Sequence, residues 1–126
     1  MVTGAAGGIG QAIVKILSDA GADIAAADIQ LEGVKCAAAL PGDLADPAYC
    51  DELPAQAERI LGGLDIVVNN AGIIRRGPIT EATDEDYRQS FAVNVEAPFR
   101  ICRAAIPLLA ESGAATIVNI ASCWGL

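Results

Sequence analysis

Apolar and polar positions follow two rhythms along the chain. Short runs of β-branched or small apolar residues alternate with stretches of helical spacing, the order expected of a parallel α/β sheet covered on both faces. Residues 1–3 read as the end of a short strand. Ile9, Ile13, Ile16, Leu17 and Ala20 recur at i, i+4, i+7, i+8 and i+11, which predicts a helix with that face buried and Gly21 closing it. Residues 22–27 predict a small apolar strand ending at Asp28. Residues 31–39 predict a short Ala-rich helix, and 40–44 a brief strand running into Asp43.

Asp46 and Pro47 form an N-cap and N1 pair. The helix behind them presents Tyr49, Leu53, Ala57, Ile60 and Leu61 as its buried face, with a kink expected at Pro54. Residues 64–69 are the most continuous apolar run and the clearest strand. Thr83 and Asp86 make a capping box that opens a long helical region from Asp84 towards Ala110, interrupted by Pro98 and Pro107. Residues 116–120 predict the last strand. With no internal repeat, low-complexity segment or linker, residues 1–126 read as one domain.

Composition narrows the class. Hydrophobic residues make up 53% and charged residues 19%, a globular rather than a disordered balance. The net charge of −8 and the scattering of its Lys and Arg argue against nucleic acid as a partner. No stretch reaches the roughly 20 apolar residues that span a bilayer, and the N-terminus lacks the charged and apolar regions of a signal peptide. Cys36, Cys50, Cys102 and Cys123 form no C-x-x-C pair, and the chain has no His, so a metal site is poorly supplied. They read as free, mostly buried thiols in a reducing cytoplasm.

The chemistry begins at Thr3-Gly4-Ala5-Ala6-Gly7-Gly8-Ile9-Gly10, between the first strand and the first helix. Glycines there let backbone N–H groups approach a pyrophosphate with no Cβ between them, and the helix start adds its positive dipole end. Taken singly, such a loop also fits a plain glycine turn. Asp28 follows 18 residues after Gly10, at the carboxyl end of the second strand. An acid there accepts the adenosine ribose hydroxyls of NAD and repels the extra phosphate of NADP. A strand-end cap is the alternative reading of Asp28.

The spacing of Gly4, Gly8 and Gly10 resembles the T-G-x-x-x-G-x-G signature of the short-chain dehydrogenase/reductase family. Further matches follow in family order. Asp43-Leu44 resembles the acidic residue after the third strand that contacts the adenine. Asn69-Asn70-Ala71-Gly72 resembles the N-N-A-G that ends the fourth strand. Asn94 corresponds to the helix asparagine that holds a water in a proton relay, and Ser122 to the catalytic serine after the fifth strand. The resemblance implies a Rossmann-type doubly wound parallel sheet with cofactor contacts from Thr3, Gly4, Gly8, Ile9, Gly10, Asp28, Asp43, Leu44, Asn70, Ala71 and Gly72. It also implies hydride transfer between a nicotinamide and a secondary alcohol or ketone, with NAD favoured over NADP by Asp28 and by Gly7, where NADP-preferring members often carry Lys or Arg.

Gly72-Ile73-Ile74-Arg75-Arg76 resembles the N-A-G-x-x-R-R of some sugar-acid members, such as gluconate or deoxygluconate dehydrogenases. Arg75 or Arg76 could then pair with a substrate carboxylate. Solvated loop arginines are the alternative, and ketoacyl-thioester reduction and polyol oxidation stay open. The family's Tyr-x-x-x-Lys has no counterpart here. Tyr49 and Tyr87 are the chain's tyrosines, and four residues beyond them stand Leu53 and Phe91.

The first strand is short, and strands six and seven would lie beyond Leu126. The expectation is therefore a fragment that is inactive alone, cut from a longer homo-oligomeric parent. A non-catalytic NAD-binding module and a non-functional truncated product are the other readings.

Overall fold

A computed structural model describes residues 1–122. Its strands are apolar towards both faces, so neither face can be left to water. Among the described residues five parallel strands form one sheet in the order β3-β2-β1-β4-β5. They are β1 (Val2–Thr3), β2 (Ala25–Asp28), β3 (Ala38–Pro41), β4 (Ile66–Asn69) and β5 (Thr116–Asn119). Alternation along the strands sorts the side chains. Val2, Ala26 and Val68 face α1 (Gly8–Asp19), meeting Val14. Ala25, Ala27 and Val67 face the other way, onto Leu53 and Ala57 of α2 (Pro47–Leu61) and Ile101 and Ala105 of α4 (Ala97–Leu109). This is the Rossmann-type α/β arrangement expected from the sequence.

Several local expectations are corrected. The buried face of α1 is Gly10 and Val14, flanked by half-buried Ile13 and Leu17, whereas Ile9 and Ile16 are 64% and 67% exposed. Gly10 carries no side chain and so leaves no hydrophobic mark in the sequence, which hides the true stripe. Gly21 does follow the helix end, with φ of 92° and its N–H on the Ser18 carbonyl.

Residues 31–39 form no helix. Val34 N–H turns back to the Leu31 carbonyl, Gly33 takes φ of 80°, and Ala38–Pro41 pair with β2. Strand pairing overrides the helical propensity of alanine here. The strand expected at 40–44 accordingly lies earlier, and residues 42–44 turn away from it. The second strand begins at Ala25 rather than residue 22 and includes Asp28.

α2 starts as predicted, with the Asp46 carboxylate accepting from Ala48 N–H at 2.9 Å, and it runs through the buried Pro54 as one element. Ile60 is 52% exposed instead of buried, and Cys50 takes a place in the core. Arg100 and Arg103 of α4 each bond the Asp51 carboxylate of α2 at 2.8 Å, and they hold that carboxyl below its usual range.

The capping box at Thr83 opens α3 (Asp84–Phe91). The break that follows is a π turn at Ala92–Glu96, ahead of Pro98 rather than at it. Pro98 lacks the N–H that would bond the Asn94 carbonyl four residues back, and a widened turn accommodates the loss.

The corrected face of α1 is testable by thermal melting. Val14→Ala is expected to cost about 2 kcal/mol through lost burial. Ile16→Ala, on the exposed side, is expected to change stability by less than about 0.5 kcal/mol.

Candidate functional site

The connections leaving β1 and β4 diverge, one towards α1 and β2, the other towards α3, α4 and β5. Adjacent parallel strands with diverging connections leave a crevice at their carboxyl ends. A cleft of about 350 Å³ opens there, lined in part by Gly4, Gly8, Ile9, Gly10, Asp28, Asp43, Leu44, Asn70, Ala71 and Gly72. These residues come from four separate stretches of sequence. Gly7, marked in the sequence only for cofactor preference, also lines it, as do Ile29, Gly42, Ile73 and Val93, to which the sequence assigns no site role. Each sits beside a motif residue, which is the signal that would have found them.

Two glycines of the loop are required sterically. Gly4 has φ of 63°, and a Cβ on it would lie 2.8 Å from the Ala71 Cα. A Cβ on Gly10 would lie 2.0 Å from the Gly4 carbonyl oxygen. The loop thus packs on the N-N-A-G turn on one side and on the start of α1 on the other. The first N–H groups of α1 have no helical acceptor, and Gly7 brings no side-chain cap, so an anion is a suitable acceptor for them. The Asp28 carboxylate accepts from Ala6 N–H at 2.9 Å and from Ile29 N–H at 2.7 Å. It therefore holds the loop while standing at the cleft wall.

Thr3 is buried and does not line the cleft. Its hydroxyl oxygen accepts from the N–H groups of Asn70 and Ala71, each at 3.1 Å. The Asn70 amide returns the contact, donating to the carbonyls of Thr3 at 3.0 Å and Gly4 at 3.1 Å. Asn69 is also buried; its amide donates to Asn119 Oδ1 at 2.8 Å and to Cys102 Sγ at 3.4 Å, tying β4 to β5 and α4.

Asn94 lies in the π turn. Its Oδ1 accepts from Ile73 N–H and its Nδ2 donates to the Ile73 carbonyl, both at 2.9 Å. The side chain is thereby committed to the loop after N-N-A-G. Ser122 is exposed and stands three residues past β5, whose last residue Asn119 is in register with Asn69. Arg75 points to α3, bonding Gln89 and pairing with Asp86 at 3.6 Å. Hydrogen bonds from Thr83, reinforced by Arg75, keep the Asp86 carboxyl below its usual range. Arg76 is exposed, and neither arginine lines the cleft.

Cys50 is buried, and burial pushes its thiol up to about 11, while Cys36 and Cys102 are half-buried and free. Cys123 lies outside the described residues. Among the described residues no group of three His, Cys, Asp or Glu side chains is placed to hold a metal, and no helix is long and apolar enough to cross a membrane.

The Thr3 hydroxyl serves two part-buried amides at once. Thr3→Val keeps the shape and removes the acceptor, and each orphaned amide costs roughly 1–3 kcal/mol. The expected result is a clear loss of melting temperature, with Thr3→Ser close to wild type.

The family model described as short chain dehydrogenase matches residues 1–126. A 2,3-dihydro-2,3-dihydroxybenzoate dehydrogenase of Bacillus subtilis is 36% identical, over 96% of this chain and 51% of its own length. A D-threitol dehydrogenase of Mycolicibacterium smegmatis is likewise 36% identical, over 97% of this chain and 51% of its own. Among solved structures, a blue fluorescent protein from a metagenomic library, in complex with NADPH, superposes with a TM-score of 0.85 at 37% identity, over 97% of this chain and 54% of that one. The chain therefore spans about half the length of the curated relatives it matches. From its glycine loop to the end of its fifth strand, this chain belongs to the short-chain dehydrogenase family.

Proposed function

We propose that the chain forms the nucleotide-binding domain of an NAD-dependent oxidoreductase that moves hydride between a nicotinamide and a secondary alcohol or ketone. The observation that carries the reading is the meeting of the glycine loop, the first turn of α1 and the Asp28 carboxylate around one cleft. Glycine at positions 4 and 10 lets the loop pack directly on Ala71 and on its own backbone, and so sets the position of the loop that frames the cleft. When bound there, the nicotinamide supplies the hydride acceptor or donor.

This chain's own residues divide the remaining work. The N–H groups at the start of α1 bind the pyrophosphate. Asp28 accepts the ribose hydroxyls, and its charge disfavours a phosphate at the same place. The similar metagenomic protein is a complex with NADPH. For this chain the preference is assigned to Asp28 at the end of β2, whose charge favours NAD. Asp43 and Leu44 meet the adenine. Ser122 donates a hydrogen bond to the substrate oxygen where charge develops. The Asn94 side chain is held by Ile73, and Pro98 gives no donor to its carbonyl, which supports a water at that carbonyl in the proton relay.

A tyrosine and lysine acting as general acid–base are not among residues 1–126, so turnover is proposed for a longer protein containing this domain. A sugar acid fits as substrate if an arginine meets its carboxylate. With Arg75 engaged by Gln89 and Asp86, Arg76 is the one assigned that role. The complete protein is proposed to be a cytoplasmic homo-oligomer.

Calorimetric titration with NAD and NADP tests the cofactor reading. Saturable NAD binding is expected, with NADP weaker by about tenfold, near 1.4 kcal/mol. Asp28→Asn, which keeps an acceptor for Ala6 N–H and gives up the one for Ile29 N–H, should erase most of that difference. Equal affinities in the wild type would refute the assigned preference, and no binding of either would refute the nucleotide site.

A further inference from the structure

Gly42, Asp43 and Leu44 form the wall of the cleft beside Asp28, yet the pairing of β3 with β2 ends at Pro41. Past that point the sheet no longer holds the chain. Gly42 N–H bonds the Asp28 carbonyl at 3.0 Å, and Asp43 closes a local turn by accepting from Ala45 N–H at 2.8 Å. The remaining support comes from α2. Tyr49 stands in its first turn, behind the Asp46 cap and Pro47. The phenol donates to the Leu40 carbonyl at 2.6 Å, and the ring lies flat against Gly42. A Cβ at position 42 would come within 2.2 Å of Tyr49 Cε2 and 2.5 Å of Cδ2 and Cζ.

The backbone of Gly42 is not in the left-handed region, so its own conformation would suit any residue. The three atoms nearest to a Cβ at position 42 all belong to the Tyr49 ring. Tyr49 and Gly42 therefore behave as a matched pair, one large and one absent side chain, joining the α2 start to the cleft wall.

We propose that Tyr49 is a positioning residue for the adenine end of the cleft, holding the Gly42–Asp43–Leu44 turn at the distance from Asp28 that a bound adenosine needs. This rests on the nucleotide reading and goes beyond it by assigning a role to a residue outside the cleft lining. Burial raises the phenol to about 12, so it stays protonated and a donor near neutral pH.

The test uses two probes that report different ends of the site, AMP for the adenine end and inorganic pyrophosphate for the glycine loop, alongside NAD. Tyr49→Phe keeps the ring and removes one hydrogen bond, so AMP and NAD are expected to bind roughly three- to tenfold more weakly. Pyrophosphate affinity should stay within about twofold, since the loop at the start of α1 is untouched. Gly42→Ala forces the ring aside and should weaken AMP further, whereas the double variant Gly42→Ala with Tyr49→Ala should recover part of that loss. Such recovery is a coupling between neighbours that independent sites would not give.

Unchanged AMP affinity in Tyr49→Phe, or equal weakening of AMP and pyrophosphate, would overturn the positioning role while leaving the nucleotide reading intact. A wild-type chain that binds neither NAD nor AMP would overturn both.

Discussion

The structure turns on the hydrogen-bonded lock between the carboxyl ends of β1 and β4. These strands neighbour each other in space and are separated by the whole of α1, β2, β3 and α2 in sequence. Their connections diverge, so no loop spans the gap at the crevice. Thr3 and Asn70 supply the missing link, with one hydroxyl accepting two amides and one side-chain amide serving two carbonyls. Thr3 is buried and the bonds it shares with Asn70 and Ala71 are part-buried, so leaving one unmade is costly. The glycine loop rests directly on this lock, since Gly4 packs against Ala71. The shape of the cleft is thus set by contacts beneath it.

What could be read from the sequence is what leaves a mark on residue type. Gly4 and Gly10 are glycines because backbone atoms occupy the space of a Cβ, and an unusual spacing of glycines is visible in one dimension. Asp28 is visible for the same reason, as a charge at the end of an apolar strand. Capping at Asp46 and Thr83 is local chemistry between near neighbours and was equally legible. Contacts between distant segments were not. The stripe of α1 was misread because Gly10 is buried without a side chain while Ile9 and Ile16 are apolar and exposed. Residues 31–39 read as helix because alanine favours helices in isolation, and nothing local reveals that Ala38–Pro41 pair with β2. Thr3 was legible as part of a motif, yet its buried place behind the cleft wall was not. Tyr49 read as a core residue, and only the fold reveals which glycine it faces.

Asn94 and Asp28 share a design. Asp28 lines the cleft and Asn94 follows the lining residue Val93, and each uses its side chain to hold a backbone segment, Ala6 in the first case and Ile73 in the second. Where such a group also meets a ligand, it cannot be altered for one purpose alone. Changes at such positions combine altered binding with altered loop geometry, and a substitution that preserves the hydrogen bond separates the two.

The long sequence separation across the β1–β4 pair has a kinetic consequence. Val2 is in register with Val68, and closing so large a loop carries an entropic cost that local helices do not bear. Such non-local parallel pairing slows folding, and the crevice exists only once it has formed. Chain segments emerging before β4 contain the complete glycine loop and Asp28 yet have no opposite wall for a ligand to meet. A dinucleotide would therefore act on the finished domain alone, deepening its stability by mass action and lengthening its life without guiding its assembly.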